Sequence, residues 1–113
     1  MEVTRKDLVY LIFLVILENL SISYKRDIKK AIKIIKKNNS KEIFIFGSLV
    51  NGNYNESSDI DIAVRGLSQD KFYKVASILL FELENEFDLI DLDIVFKITE
   101  IDRLFWEYKV IER

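Results

Sequence analysis

One stretch limits what this chain can fold into more than any other. An apolar run, Ile43 to Phe46, halts at Gly47-Ser48, a polar turn with a second glycine, Gly52, follows, and Asp59-Ile60-Asp61 opens another apolar run ending at Val64. Short apolar runs bounded by turn residues predict two strands, over residues 41–46 and 59–65. In the first, Ile43 and Ile45 share one side and Glu42, Phe44 and Phe46 the other, a pattern for a strand buried on both faces. In the second, Asp59, Asp61 and Ala63 lie on one side and Ile60, Ile62 and Val64 on the other, so both carboxylates point away from the Ile/Val core.

The chemistry of this stretch follows from its residue types. Glycine at 47 permits positive φ or close approach of a ligand to the backbone. Ser48 comes next, where a short helix would turn free N–H groups toward an anion, so Gly47-Ser48 reads as a phosphate seat. Asp59 and Asp61 repel each other unless a cation lies between them. The chain has no His and no Cys, so such a cation would be held by oxygen alone, which selects Mg²⁺ or Mn²⁺ over zinc. The plainer reading makes Asn53, Asn55, Ser57 and Ser58 ordinary turn residues and Asp59-x-Asp61 a solvated strand edge. A third predicted strand, 87–96, carries more acid. Asp88 alternates with Ile90, Leu92 and Ile94, while Asp91 and Asp93 take the other side, and periodicity leaves open which side meets Asp59 and Asp61.

Gly47-Ser48, ten intervening residues and Asp59-Ile60-Asp61 resemble the Gly-Ser-x10-Asp-x-Asp signature of the minimal nucleotidyltransferases, small members of the DNA polymerase β-like nucleotidyltransferase superfamily. Gly52 and Ser58 match that pattern as well, and Phe87 to Leu92 resembles the strand bearing its third carboxylate. The resemblance implies an α+β, two-layer nucleotidyltransferase-like fold, a mixed β-sheet with helices packed on one face, preceded by an extra N-terminal helix. It implies Asp59, Asp61 and Asp88 as catalytic residues and ligands of two Mg²⁺ ions, with Mn²⁺ as substitute and Asp91 in reserve as third carboxylate. Gly47, Ser48, Gly52 and Ser58 become the nucleotide-binding set. The expected reaction is transfer of a nucleoside monophosphate from an NTP, with ATP the expected donor, to a hydroxyl acceptor. Modules of this family pair with HEPN-type proteins as toxin–antitoxin systems. The chain departs from the pattern at Leu49 and Asn51, where the family usually has arginines. That departure supports the other reading, a non-catalytic antitoxin-like subunit that keeps the fold.

The remaining residues form one domain of 113 residues, with an N-terminal segment over 1–22 and a catalytic core over 25–113. A first helix is predicted over 4–19. Its apolar run, Leu8 to Leu17, is half the length needed to span a bilayer, so no membrane association is expected. It is apolar all round, and a domain this small cannot enclose it. The expectation is therefore an interface with a HEPN-type partner or with a second copy of the chain. Helices are also predicted over 24–38, over 68–84 with Phe72, Val75, Ala76, Leu79, Leu80 and Leu83 as core stripe, and from Thr99 through Trp106. Residues 1–40 carry nine Lys/Arg against four Asp/Glu, and the rest eight against fifteen. The lysines of 29–37 read as a solvated helix face and not as a nucleic-acid patch, and Lys71 and Lys74 likewise as surface. Absence of Cys and a site that uses cytosolic nucleotides point to a cytoplasmic protein.

Overall fold

A computed structural model of the chain describes residues 2, 4, 11, 14–51 and 55–94. Leu11 and residues 14–18 are helical, in agreement with the predicted first helix as far as it is described. Leu17 and Leu20 enter the core, whereas Leu11, Leu14 and Val15 remain exposed. The predicted helix beginning at Thr99 lies outside the described residues. Helix α1 spans Ile22–Lys37. Ser21 caps it by accepting the N–H of Tyr24, and Asn38 and Asn39 end it, Asn39 with φ of 67°, a conformation asparagine tolerates. Its buried residues, Tyr24, Asp27, Ile28, Ala31 and Ile35, recur at helical spacing, and Lys29, Lys33, Lys36 and Lys37 face water.

Strand β1 (Glu42–Phe46) leads through Gly47 into one short helical turn, α2 (Ser48–Asn51). Strand β2 covers Ile60–Arg65, helix α3 Gln69–Glu82 and strand β3 Phe87–Asp91. The sheet has the order β1-β2-β3, with β1 antiparallel and β3 parallel to β2, so it is mixed. The parallel pair requires a crossover, which α3 supplies. Both long helices cover one face. There Ile43, Ile45, Ile60, Ile62 and Val64 pack with Ile28, Ile35, Val75 and Leu79. On the opposite face Phe44, Ala63 and Leu92 form a smaller cluster flanked by Phe46 and Ile90. The architecture is thus a two-layer α+β domain. No helix among the described residues is long and apolar enough to cross a membrane.

Two expectations are corrected. Strand β3 stops at Asp91 instead of continuing to 96, because local side-chain bonds replace the ladder: Asp91 Oδ1 accepts the N–H of Asp93, and Asp93 Oδ2 accepts the N–H of Gly66. Leu80 does not belong to the core stripe of α3. It is 74% exposed, because the buried face of α3 is narrow and centred on Val75 and Leu79. Leu79→Ala is accordingly expected to cost about 2–5 kcal/mol and Leu80→Ala less than about 0.5 kcal/mol, read from urea denaturation midpoints. Equal losses at the two positions would mean the helix is rotated.

Candidate active site

The open face of the sheet collects the acidic residues. Antiparallel register sets Phe46 against Asp61, and parallel register sets Asp61 against Asp88, so Phe46, Asp61 and Asp88 lie in one row across three strands. Register therefore decides what alternation left open. Asp88 is the neighbour of Asp61, whereas Asp91 is three residues on, opposite Val64, with its Oδ1 occupied by the N–H of Asp93. Asp59 precedes β2 and is exposed, as is Asp88, while Asp61 between them is half-buried. Asp61 and Asp88 are side by side in the parallel register, and each carboxyl group feels the other's charge. Burial, then the charge of Asp88, then that of Asp59 push the Asp61 carboxyl up to about 6. None of the three forms an ion pair with a lysine or arginine among the described residues. Lys71 and Lys74 are exposed on α3, in the helical layer, and bring no charge to this face.

Gly47 ends the row. Its φ is +77°, and a Cβ added there would collide with Asp61 Oδ2. The glycine is thus required twice, by its backbone conformation and by the carboxylate packed on its Cα. Ser48 opens α2 half-buried, and Val50 donates to Gly47 O at 3.1 Å. Leu49, at the position where a cation was sought, is 1% exposed and belongs to the core. Ser58 Oγ accepts the N–H of Asn55 at 2.9 Å, so this hydroxyl helps to close the turn before Asp59. Gly52 lies outside the described residues.

The donor set fits a hard divalent cation. Asp61 and Asp88 offer adjacent carboxylate oxygens with Asp59 beside them, and such an ion would relieve their mutual repulsion. No three acidic side chains among the described residues close on a single point as a finished metal cage. Magnesium does not require one, since it commonly takes one or two carboxylates and completes its shell with water and phosphate oxygens.

Two residues that alternation and motif did not single out support this face from beneath. Tyr24 Oη lies 2.7 Å from Ser58 O and 3.2 Å from the carbonyls of Asn55 and Glu56. Asp27, wholly buried, accepts the N–H of Glu84 and of Asn85 and the side-chain amide of Asn85. A carboxylate in the middle of the apolar stripe of α1 was the signal available for Asp27. A core tyrosine carries none.

Comparison with known proteins identifies relatives of this fold. The family described as polymerase beta, nucleotidyltransferase matches residues 29–112. A crystal structure of a toxin–antitoxin with AMP-PNP is similar at 30% identity and a TM-score of 0.58, covering 74% of this chain and 69% of its own. A mutant of the MntA–HpeT toxin–antitoxin is similar at 29% identity and 0.52, with 75% and 69% covered. A complex of tri-AMPylated Shewanella oneidensis HEPN toxin with MNT antitoxin follows at 25% identity and 0.53, with 77% and 69% covered. Among curated proteins nothing matches the chain. With its motif glycine packed on the central aspartate of a carboxylate row, and a family match across three quarters of its length, the chain belongs to the polymerase β-type nucleotidyltransferases.

Proposed function

We propose that the chain is a Mg²⁺-dependent nucleotidyltransferase that moves AMP from ATP to a hydroxyl group on a HEPN-type partner, as the antitoxin of a toxin–antitoxin pair in the cytoplasm. The observation that carries this is the row in which Gly47 abuts Asp61 and Asp61 lies beside Asp88 in the parallel register. The tri-AMPylated HEPN toxin held by an MNT antitoxin in a similar structure supports the choice of acceptor.

In this reading Asp59, Asp61 and Asp88 hold the metal, two ions in the working complex, with Mn²⁺ able to replace Mg²⁺. Bound there, the ions would neutralise triphosphate charge and polarise the α-phosphorus. Gly47 and Ser48 seat the distal phosphates, with Gly52 and Ser58 flanking them. Asp88, exposed at the strand end, accepts the proton of the attacking hydroxyl. An acceptor O–P bond forms in line as the bond to the β-phosphate breaks, and pyrophosphate leaves. The exposed Leu11, Leu14 and Val15 of the first helix belong to the partner or self-association surface in this reading.

A second reading, binding without catalysis, is favoured by one observation. Leu49 is a core residue where the family usually has a cation. Incubation of the chain and its co-purified partner with Mg²⁺ and ATP separates the two. Mass spectrometry should find AMP on the partner, and none with Asp59→Ala. No adduct with either protein, while the pair stays bound, would select the binding subunit.

A further inference from the structure

The three carboxylates emerge from two loops. Residues 55–58 run into Asp59 and β2, and residues 83–86 run into β3 and Asp88. Both loops are tied to the first two turns of α1, and to residues three apart on one face of it. At the first loop, the Tyr24 hydroxyl has one proton, which goes to Ser58 O, the nearest carbonyl. The carbonyls of Asn55 and Glu56 close round the same oxygen. Within itself the loop is closed by Ser57 N–H to Asn55 Oδ1 and Asn55 N–H to Ser58 Oγ. Among the described residues, Tyr24 ties the finished turn to α1.

At the second loop, Asp27 Oδ1 accepts Glu84 N–H at 3.1 Å, and Oδ2 accepts Asn85 N–H at 2.8 Å and Asn85 Nδ2 at 2.9 Å. Asn85 Nδ2 also donates to Ser23 Oγ, one turn back on the same helix. Glu86 then joins the two loops, because its carbonyl accepts the N–H of Ile60 at 2.9 Å. A fully buried carboxylate is a poor way to gain stability, since an apolar side chain would fill the space without losing water. What Asp27 supplies and an apolar residue does not is direction. It orients two successive N–H groups at the entrance to β3.

The geometry points to Tyr24 and Asp27 as positioning residues for the nucleotidyltransferase site: α1 is a brace that holds the two loops from which Asp59, Asp61 and Asp88 emerge. This rests on the metal-binding reading given above. Neither residue touches the proposed metal or nucleotide, and each acts through a loop. The two anchors serve carboxylates that must meet one ion, so loosening either should weaken metal uptake even where the fold survives. Groups hydrogen-bonded directly to a metal ligand are typically worth 10–100-fold in metal affinity, so a brace acting through a loop is expected near the lower end of that range.

The test uses three variants of the whole chain. Tyr24→Phe removes one hydroxyl and keeps the ring, Asp27→Asn removes an acceptor, and Ile35→Val, farther along the buried face of α1, lowers stability without touching either anchor. Two quantities are read at a temperature where all are folded: Mn²⁺ affinity by electron paramagnetic resonance, and hydrogen exchange at the Ile60 amide that links the loops. Tyr24→Phe and Asp27→Asn are expected to bind Mn²⁺ about tenfold more weakly and to exchange Ile60 at least about tenfold faster than Ile35→Val, whose Mn²⁺ affinity stays at the parent's and whose exchange rises only with its loss of global stability. The brace is overturned if Ile60 exchanges no faster in Tyr24→Phe than in Ile35→Val, or if exchange accelerates while Mn²⁺ affinity stays within about twofold. Should Asp27→Asn fail to fold, Tyr24→Phe decides alone. If the unsubstituted chain takes up no Mn²⁺, the metal-binding reading falls, and Ile60 exchange in Tyr24→Phe still upholds or overturns the brace.

Discussion

Gly47→Ala should fold less stably and lose transfer activity by a factor on the order of 10²–10³, a larger effect than one added methyl usually has. Two costs coincide. At φ of +77° an L-residue strains its own backbone, by about 1–2 kcal/mol. The new Cβ would also occupy the position of Asp61 Oδ2, so the carboxylate must rotate away from its place beside Asp88. Denaturation midpoint, Mn²⁺ affinity and AMP transfer should all fall together. A Gly47→Ala protein that is less stable but binds Mn²⁺ like the parent would mean that Asp61 is not held where the glycine meets it.

Asp61→Asn should separate stability from function. The folded state raises the Asp61 carboxyl to about 6, mainly through burial and then through Asp88 and Asp59. A raised carboxyl binds more protons folded than unfolded. Its contribution to stability is therefore complete below about pH 4, declines as pH rises through 6, and is absent at pH 7. The metal-free parent thus carries an ionised, repelled group at neutral pH. Asparagine removes that repulsion, and after discounting for solvent screening the metal-free variant should be about 1 kcal/mol more stable at pH 7 than the parent. Between pH 4 and 7 its stability profile should be flatter. Added Mg²⁺ should raise the parent's melting temperature and leave the variant's unchanged, and transfer should fall by a factor on the order of 10³. A variant less stable than the metal-free parent at pH 7 would contradict the electrostatic account.

Much of this site was legible because it obeys short periods. Two-residue alternation puts Asp59 and Asp61 on the side away from Ile60, Ile62 and Val64, and the glycine after an apolar run marks the corner. The choice between Asp88 and Asp91 was not legible, because it depends on which residue of β3 pairs with Asp61, and a parallel register leaves no local trace. Leu80 misled for a related reason. A leucine at helical spacing looks the same whether or not a second layer covers it, and here Leu80 falls just outside the covered face that holds Leu79. Tyr24 and Asp27 escaped because their partners stand 31 to 58 residues away, at backbone groups with no sequence signature. The resemblance treated Leu49 only as a missing cation. Its burial gives it a different part.

That part bears on how the site would fail on heating. The two residues after the seat serine, Leu49 and Val50, are embedded in the same interior as Ile45 and Ile62, so the corner is the rim of the hydrophobic core and not a hinged flap. Most catalytic loops sit at the low end of a protein's local stability and are lost on warming before the scaffold is. Here that order is foreclosed. Heat that disturbs the corner has already disturbed the interior, so inactivation and global melting should trace a single curve, with no temperature range in which a folded but idle protein accumulates.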